Sequence, residues 1–246
     1  MAFQASCQQN CEDVEVAEAG YCAKCTARNI SLCEAMAEGD IDVLEGLSSR
    51  HQAGKGEIVV NEGEPARNLY NITLGTMKLY KLLADGRRQI IGFLGTGDLI
   101  GMSPQANYPF TAEAVTRVNF CRFNREQMRA VFGEYPAMRE RIFQIASNEL
   151  NEAQDQMLLL GRKTAQEKIA SFLLNRLRKA ERLGGGGTSI ELPMSRHDIG
   201  DFLGLTTETV SRSFTSLKSS GLITLDGTSR VKLTDRDGLE ALANGT

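Results

Sequence analysis

The chain has 246 residues, 28 Lys+Arg against 31 Asp+Glu for a net charge of −3, and 41% hydrophobic residues, enough to bury one or two cores. No stretch approaches ~18 consecutive apolar residues and no basic segment leads into an apolar run at the N-terminus, so neither a membrane helix nor a secretory signal is expected, and the reading is cytoplasmic with no membrane partner. The near-neutral total excludes a chain that coats nucleic acid indiscriminately, yet charge is polarised: residues 162–232 carry 12 Lys+Arg against 7 Asp+Glu (+5), leaving 16 against 24 (−8) elsewhere.

Cysteine is unevenly spread. Cys7, Cys11, Cys22, Cys25 and Cys33 crowd an irregular, acidic arm read as residues 1–34, and Cys121 stands alone. Among reduced cytosolic thiols such a cluster points to a metal or redox site rather than a disulfide framework. Cys22-Ala-Lys-Cys25 with Cys33 offers three thiolates, and Cys121, in the strand-like run Val118 to Phe123, is the natural fourth. Four thiolates suit a 4Fe-4S cluster and a structural zinc ion equally by softness and number. Cys7 and Cys11 fall outside this spacing and are read as spare thiols.

Residues 35–134 read as a small antiparallel β-barrel or jelly roll, the sensor half of an α+β protein. Nine glycines between Gly54 and Gly101 separate short alternating apolar segments. Asp85-Gly86, between Met77–Leu83 and Gln89–Leu94, is a strong hairpin signal, and Gly95-Thr96-Gly97-Asp98 supplies another turn before Leu99 and Ile100.

Residues 135–161 read as one long helix, because no Gly or Pro interrupts the chain from Pro136 until Gly161. Ala146, Leu150, Ala153, Met157 and Leu160 recur at 4-3-4-3 spacing, a coiled-coil seam. A helix of about 25 residues spans nearly 40 Å, longer than so small a barrel needs. The seam is therefore assigned to a homodimer rather than to packing against the chain's own barrel.

Residues 162–246 read as a winged helix-turn-helix. An amphipathic helix from Thr164 to Leu183 stops at four glycines, 184–187. Ser195 with Asp198 resembles a capping box that opens a short helix ending at Gly204, and Thr206 or Thr207 caps the next. On the second helix Val210, Phe214 and Leu217 form an apolar stripe, while Glu208, Ser211, Arg212 and Thr215 face away from it. A polar face starting in the first turn fits a recognition helix, with Arg212 matched to guanine O6 and N7 and Glu208 to cytosine N4. Leu222–Leu225, the turn at Asp226-Gly227, and Arg230–Leu233 form a hairpin that offers Arg230 and Lys232 to phosphates. Double-stranded DNA is the expected partner.

Along almost its full length the chain resembles the CRP/FNR family of bacterial transcription regulators, and most closely the FNR branch. The resemblance is carried by Asp198-Ile-Gly-Asp-Phe-Leu-Gly-Leu-Thr-Thr-Glu-Thr-Val-Ser-Arg212, whose Glu-x-x-Ser-Arg is the family's base-reading motif. It implies a two-fold symmetric palindrome with TTGAT-like half-sites. It also implies an oxygen-labile 4Fe-4S cluster held by three arm cysteines and one from the barrel, here Cys22, Cys25, Cys33 and Cys121. The C-x2-C-x7-C spacing looks like that of alphaproteobacterial-type members and is longer between its second and third cysteines than the enteric type. The family further implies a barrel loop that touches RNA polymerase, for which Asp85, Gly86 and Arg87 are candidates by position. The alternative is a regulator of the same fold governed by zinc or thiol redox state.

Other effectors fit less well. The stretches comparable to the family's phosphate cassette, Gly97-Asp98-Leu99 and Phe110-Thr111-Ala112, contain no arginine, and a buried phosphate without a cationic partner is costly, so no cyclic nucleotide is expected. Haem is weakly supported by two histidines, His51 and His197, of which the second lies in the DNA-binding half. No nucleophile motif, Walker loop, dinucleotide fingerprint or paired His and carboxylate indicates an enzyme. An iron-sulfur electron carrier would have no use for the winged helix.

Overall fold

The computed structural model describes residues 20–245; Cys7 and Cys11 lie outside that range. Three short 3-10 helices, Cys22–Lys24, Arg28–Ile30 and Leu32–Ala35, form the arm and lead into α1 (Ile41–Leu47). Eight strands follow: β1 (Ser48–Ala53), β2 (Ile58–Val60), β3 (Asn68–Leu74), β4 (Met77–Leu82), β5 (Arg88–Leu94), β6 (Leu99–Ile100), β7 (Thr111–Ala114) and β8 (Val118–Asn124). Then come α2 (Arg125–Glu134), α3 (Pro136–Arg162), α4 (Ala165–Arg182), β9 (Ser189–Glu191), α5 (Arg196–Leu203), α6 (Thr207–Ser219), β10 (Ile223–Asp226), β11 (Arg230–Leu233) and α7 (Arg236–Asn244).

The described residues divide into two compact units, 20–81 with 93–145, and 82–92 with 146–245. In the first, two four-stranded sheets run in the orders β1-β8-β3-β6 and β2-β7-β4-β5, the second of them taking in part of the 82–92 hairpin. Side chains alternate across each strand, so one sheet can serve two cores. Tyr70, Ile72, Val118 and Phe120 meet Met77, Leu79, Ala112 and Ala114 in the barrel interior. Leu69, Leu99, Cys121 and Phe123 take the other face, where they join Cys22 and Leu32 of the arm, Ile41 and Leu44 of α1, Met128 and Val131 of α2, and Met138 of α3. Truncating the fully buried Phe123 would cost about 3–5 kcal/mol and loosen the arm's seat. Gly97, at φ +91°, makes that seat possible: a Cβ there would lie 2.9 Å from the Ile30 carbonyl oxygen.

The second unit holds the winged helix. Thr164 closes a capping box with Glu167 at the start of α4, and Ser195 does the same with Asp198 on α5. Gly204 ends α5 in the left-handed region at φ +64°, and Thr206, not Thr207, caps α6. The wing carries three strands in the order β10-β11-β9, because the Ser189 run pairs with β11. The hairpin 82–92, which the sequence assigns to the barrel, groups with this half. Arg88 reaches Asp198 and Asp201 at 2.8 and 2.7 Å, and Gln89 Nε2 donates to the Asp201 carbonyl at 2.7 Å.

Candidate functional site

The four cysteines expected as ligands are all free thiols, and they meet on the outer face of β8. Cys121 arrives there by strand alternation, its neighbour Phe120 pointing into the barrel. Cys22 is held from outside the arm: Glu45 of α1 accepts from the backbone N–H groups of Gly20 and Cys22 at 2.9 and 3.0 Å. Ser31 caps the turn carrying Cys33 by accepting from its N–H at 3.2 Å. Arg50 lies over the Tyr21 ring at 4.1 Å. Arg141 of α3 ties the same segment down, donating to the Ser31 carbonyl at 3.2 Å and pairing with Glu34 at 2.6 Å on either side of Cys33.

Burial, then the nearby thiols, raise the pKa of these groups. Cys22 is pushed up to about 12 by desolvation first and by Cys33, Glu45 and Cys25 after it; Cys121 is pushed up to about 12 by desolvation and then by Cys22, Cys33 and Cys25. Cys33 is raised as well, mainly by burial. Such thiols stay protonated at neutral pH unless a cation compensates them. Cys22, Cys33 and Cys121 are desolvated, and with Cys25 beside them they make a set of four soft sulfurs whose chemistry fits a thiolate-ligated metal group. Among the described residues, no three His, Cys, Asp or Glu side chains are already arranged to hold a metal ion, so what fits the group here is the chemistry of the donors.

The exposed face of α6 is laid out as the helical wheel predicts. Val210, Ser213, Phe214 and Leu217 are buried, and Glu208, Ser211, Arg212 and Thr215 are exposed. Ser211 and Thr215 donate their hydroxyl protons to carbonyls one turn back, at 2.9 and 3.0 Å, which leaves their lone pairs outward. The Glu208 carboxyl is held below its usual range by its own backbone N–H first, then by the Thr206 hydroxyl and Arg212, so it is an ionised acceptor. On the wing Lys232 is exposed and Arg230, also exposed, is engaged: it pairs with Glu191 at 3.0 Å and Asp226 at 3.7 Å. Any phosphate must compete for Arg230.

Along α3, Ala146, Leu150, Ala153, Met157 and Leu160 are all exposed, Leu150 at 58% and Met157 at 70%. Phe143, 69% exposed, continues the spacing one step upstream, a member of the stripe that the 3-4 rhythm made available. Nothing local in the sequence signalled Glu45, Arg88 or Arg141, whose partners are distant in the chain. His51 is buried, stacked on Phe120 with centroids 5.7 Å apart, whereas His197 is exposed. No helix among the described residues is long and apolar enough to cross a membrane.

Two family models match the chain: a Crp-like helix-turn-helix domain over residues 167–242 and a cyclic nucleotide-binding domain over residues 50–135. The nitrogen fixation regulation protein FixK of Bradyrhizobium diazoefficiens is 40% identical over 223 residues, 91% of this chain and 94% of that protein. The fumarate and nitrate reduction regulatory protein of Salmonella typhimurium is 31% identical over 229 residues, 92% of this chain and 91% of its own. Among solved structures, FixK2 from Bradyrhizobium japonicum aligns with a TM-score of 0.75 at 36% identity, covering 79% of this chain and 96% of that one.

Proposed function

The chain belongs to the CRP/FNR family of transcription regulators, and on that premise we propose that it acts as a homodimer that senses oxygen through a 4Fe-4S cluster and binds a TTGAT-like palindrome to control genes of anaerobic or microaerobic growth. That it is a DNA-binding regulator and not an enzyme follows from its kinship. The observation that carries the finer reading is the convergence of Cys22, Cys25, Cys33 and Cys121 beneath the arm. A cluster, when bound, supplies an oxygen-labile positive core that lets the four thiols ionise.

The chain's own residues give the signal a route. Glu45 and Arg141 hold the arm, and Arg141 stands on α3, the helix whose exposed stripe is the proposed dimer seam. Two recognition helices must sit about 34 Å apart to read a palindrome, so a paired α3 is a condition for tight binding. Asp85, Gly86 and Arg87, exposed at the hairpin tip, are proposed to meet RNA polymerase. A cyclic nucleotide is left out of this reading despite the barrel's family match. Asp98 is turned to the Gly95 N–H at 2.8 Å and Thr111 to the Glu62 N–H at 3.1 Å, and neither stretch brings an arginine.

The test is iron, sulfide and zinc analysis of protein purified without oxygen, paired with binding to a TTGAT palindrome before and after air. Roughly four irons per chain and oxygen-sensitive binding are expected; stoichiometric zinc without iron would replace this reading with the zinc-governed one. On the DNA side, Arg212→Ala should cost about 1–3 kcal/mol on the palindrome and relax preference at one base pair, while sparing random duplex. Equal losses on both would remove Arg212 from base reading. Lys232→Ala should weaken both duplexes and reduce the salt slope by about one, because counterion release carries no sequence information.

A further inference from the structure

The register of the first sheet sets Cys121 on β8 directly between Arg50 on β1 and Asn71 on β3. Directly opposed residues project to the same face with Cβ atoms about 4.5–5.5 Å apart. That face is the one the arm covers, since Leu69, two residues before Asn71, shares a core with Cys22, Leu32 and Cys121. Asn71 is 2% exposed, and its side-chain oxygen has no hydrogen-bond partner. A buried carboxamide with an uncommitted end is rare, and it stands here beside the ligand sulfur that comes from the barrel. Arg50 is occupied differently, with its guanidinium lying over the Tyr21 ring at 4.1 Å.

A carboxamide rotated by half a turn exchanges its oxygen for its NH2 with little change of shape. In the structure the oxygen accepts from none of the neighbouring thiols. Against a thiolate ligated to iron, an acceptor with lone pairs, the NH2 end suits the site. We propose that Asn71 is a positioning residue that donates an N–H···S hydrogen bond to Cys121 in the cluster-loaded protein and thereby sets the potential of the cluster. This rests on the 4Fe-4S reading above. Hydrogen bonds to the sulfurs are among the terms that set such potentials, and partners of the ligands tune a metal group as much as the ligands do. Withdrawing density from the Cys121 sulfur weakens its iron bond and makes the reduced state easier to reach.

The experiment compares wild type, Asn71→Leu, which keeps the branched skeleton without the donor, and Asn71→Ser, which keeps a shorter donor, all loaded anaerobically. Resonance Raman spectra in H2O and D2O and the midpoint potential are read on protein of matched iron content. The Leu variant is expected to hold the same iron, to lose part of the deuterium-sensitive shift of the iron-thiolate stretch, to move that stretch upward, and to have a more negative potential, with Ser in between. Identical spectra and potentials for wild type and Leu would overturn the role of Asn71 while leaving the cluster in place. Wild type that takes up no iron would overturn both. Should the Leu variant fail to fold, wild type with 15N-labelled asparagine decides: a carboxamide resonance displaced on cluster loading supports the contact, and its absence rejects it.

Discussion

Cys121→Ser is expected to give a folded chain that binds no 4Fe-4S cluster, falling from roughly four irons to none under strict anaerobiosis. The side chain is nearly isosteric and sits in a packed core with Phe123 and Leu32, so the strand and its register should survive. What is lost is the thiolate. A hydroxyl in a site that already pushes a thiol up to about 12 does not ionise, and an unionised oxygen is a poor ligand for iron. Cys22→Ser, Cys25→Ser and Cys33→Ser should behave alike, whereas Cys7→Ser and Cys11→Ser should keep the full iron content. Iron analysis with circular dichroism checks this, and retention of the cluster by the Cys121 variant would transfer the fourth ligand to another residue.

Leu150→Glu should shift the monomer-dimer equilibrium strongly toward monomer. Each leucine is exposed in the single chain, and burying it in a symmetric pair contributes about 1.5 kcal/mol. The pair is then worth about 3 kcal/mol, roughly a hundredfold in dissociation constant before charge repulsion is added. Palindrome binding should fall with it, and half-site binding should not. Sedimentation with and without the cluster is the measurement. Ala153→Asp should act more gently, making chiefly the cluster-free form more monomeric, because like charges at the seam oppose pairing unless the braced arm favours it. Of the acidic residues that flank the seam, Glu149, Glu152 and Asp155, Glu152 is paired with Lys179 at 3.0 Å, which reduces the repulsion already available there. A dimer affinity indifferent to the cluster would reject the proposed route from arm to DNA.

Whatever repeats over a few residues was legible in the chain alone. The 4-3-4-3 rhythm of α3, the apolar stripe of α6 against its exposed Glu208, Ser211, Arg212 and Thr215, the capping box at Ser195, and the Asp85-Gly86 hairpin all arise from local geometry, in which one turn or one pleat fixes which side chains share a face. What depends on pairing between distant segments was not legible there and came from the folded packing. Whether Cys121 faces the barrel interior or the arm changes with a slip of one residue in register, because side chains alternate, and that register is set by packing along β1, β8 and β3. The same is true of Arg230, which reads as a free cation until β9 brings Glu191 beside it, of Glu45 and Arg141, which bond to groups 25 and 110 residues away, and of Asn71, which the register sets opposite Cys121. Such contacts follow from the close packing of two faces, which no short stretch of sequence encodes.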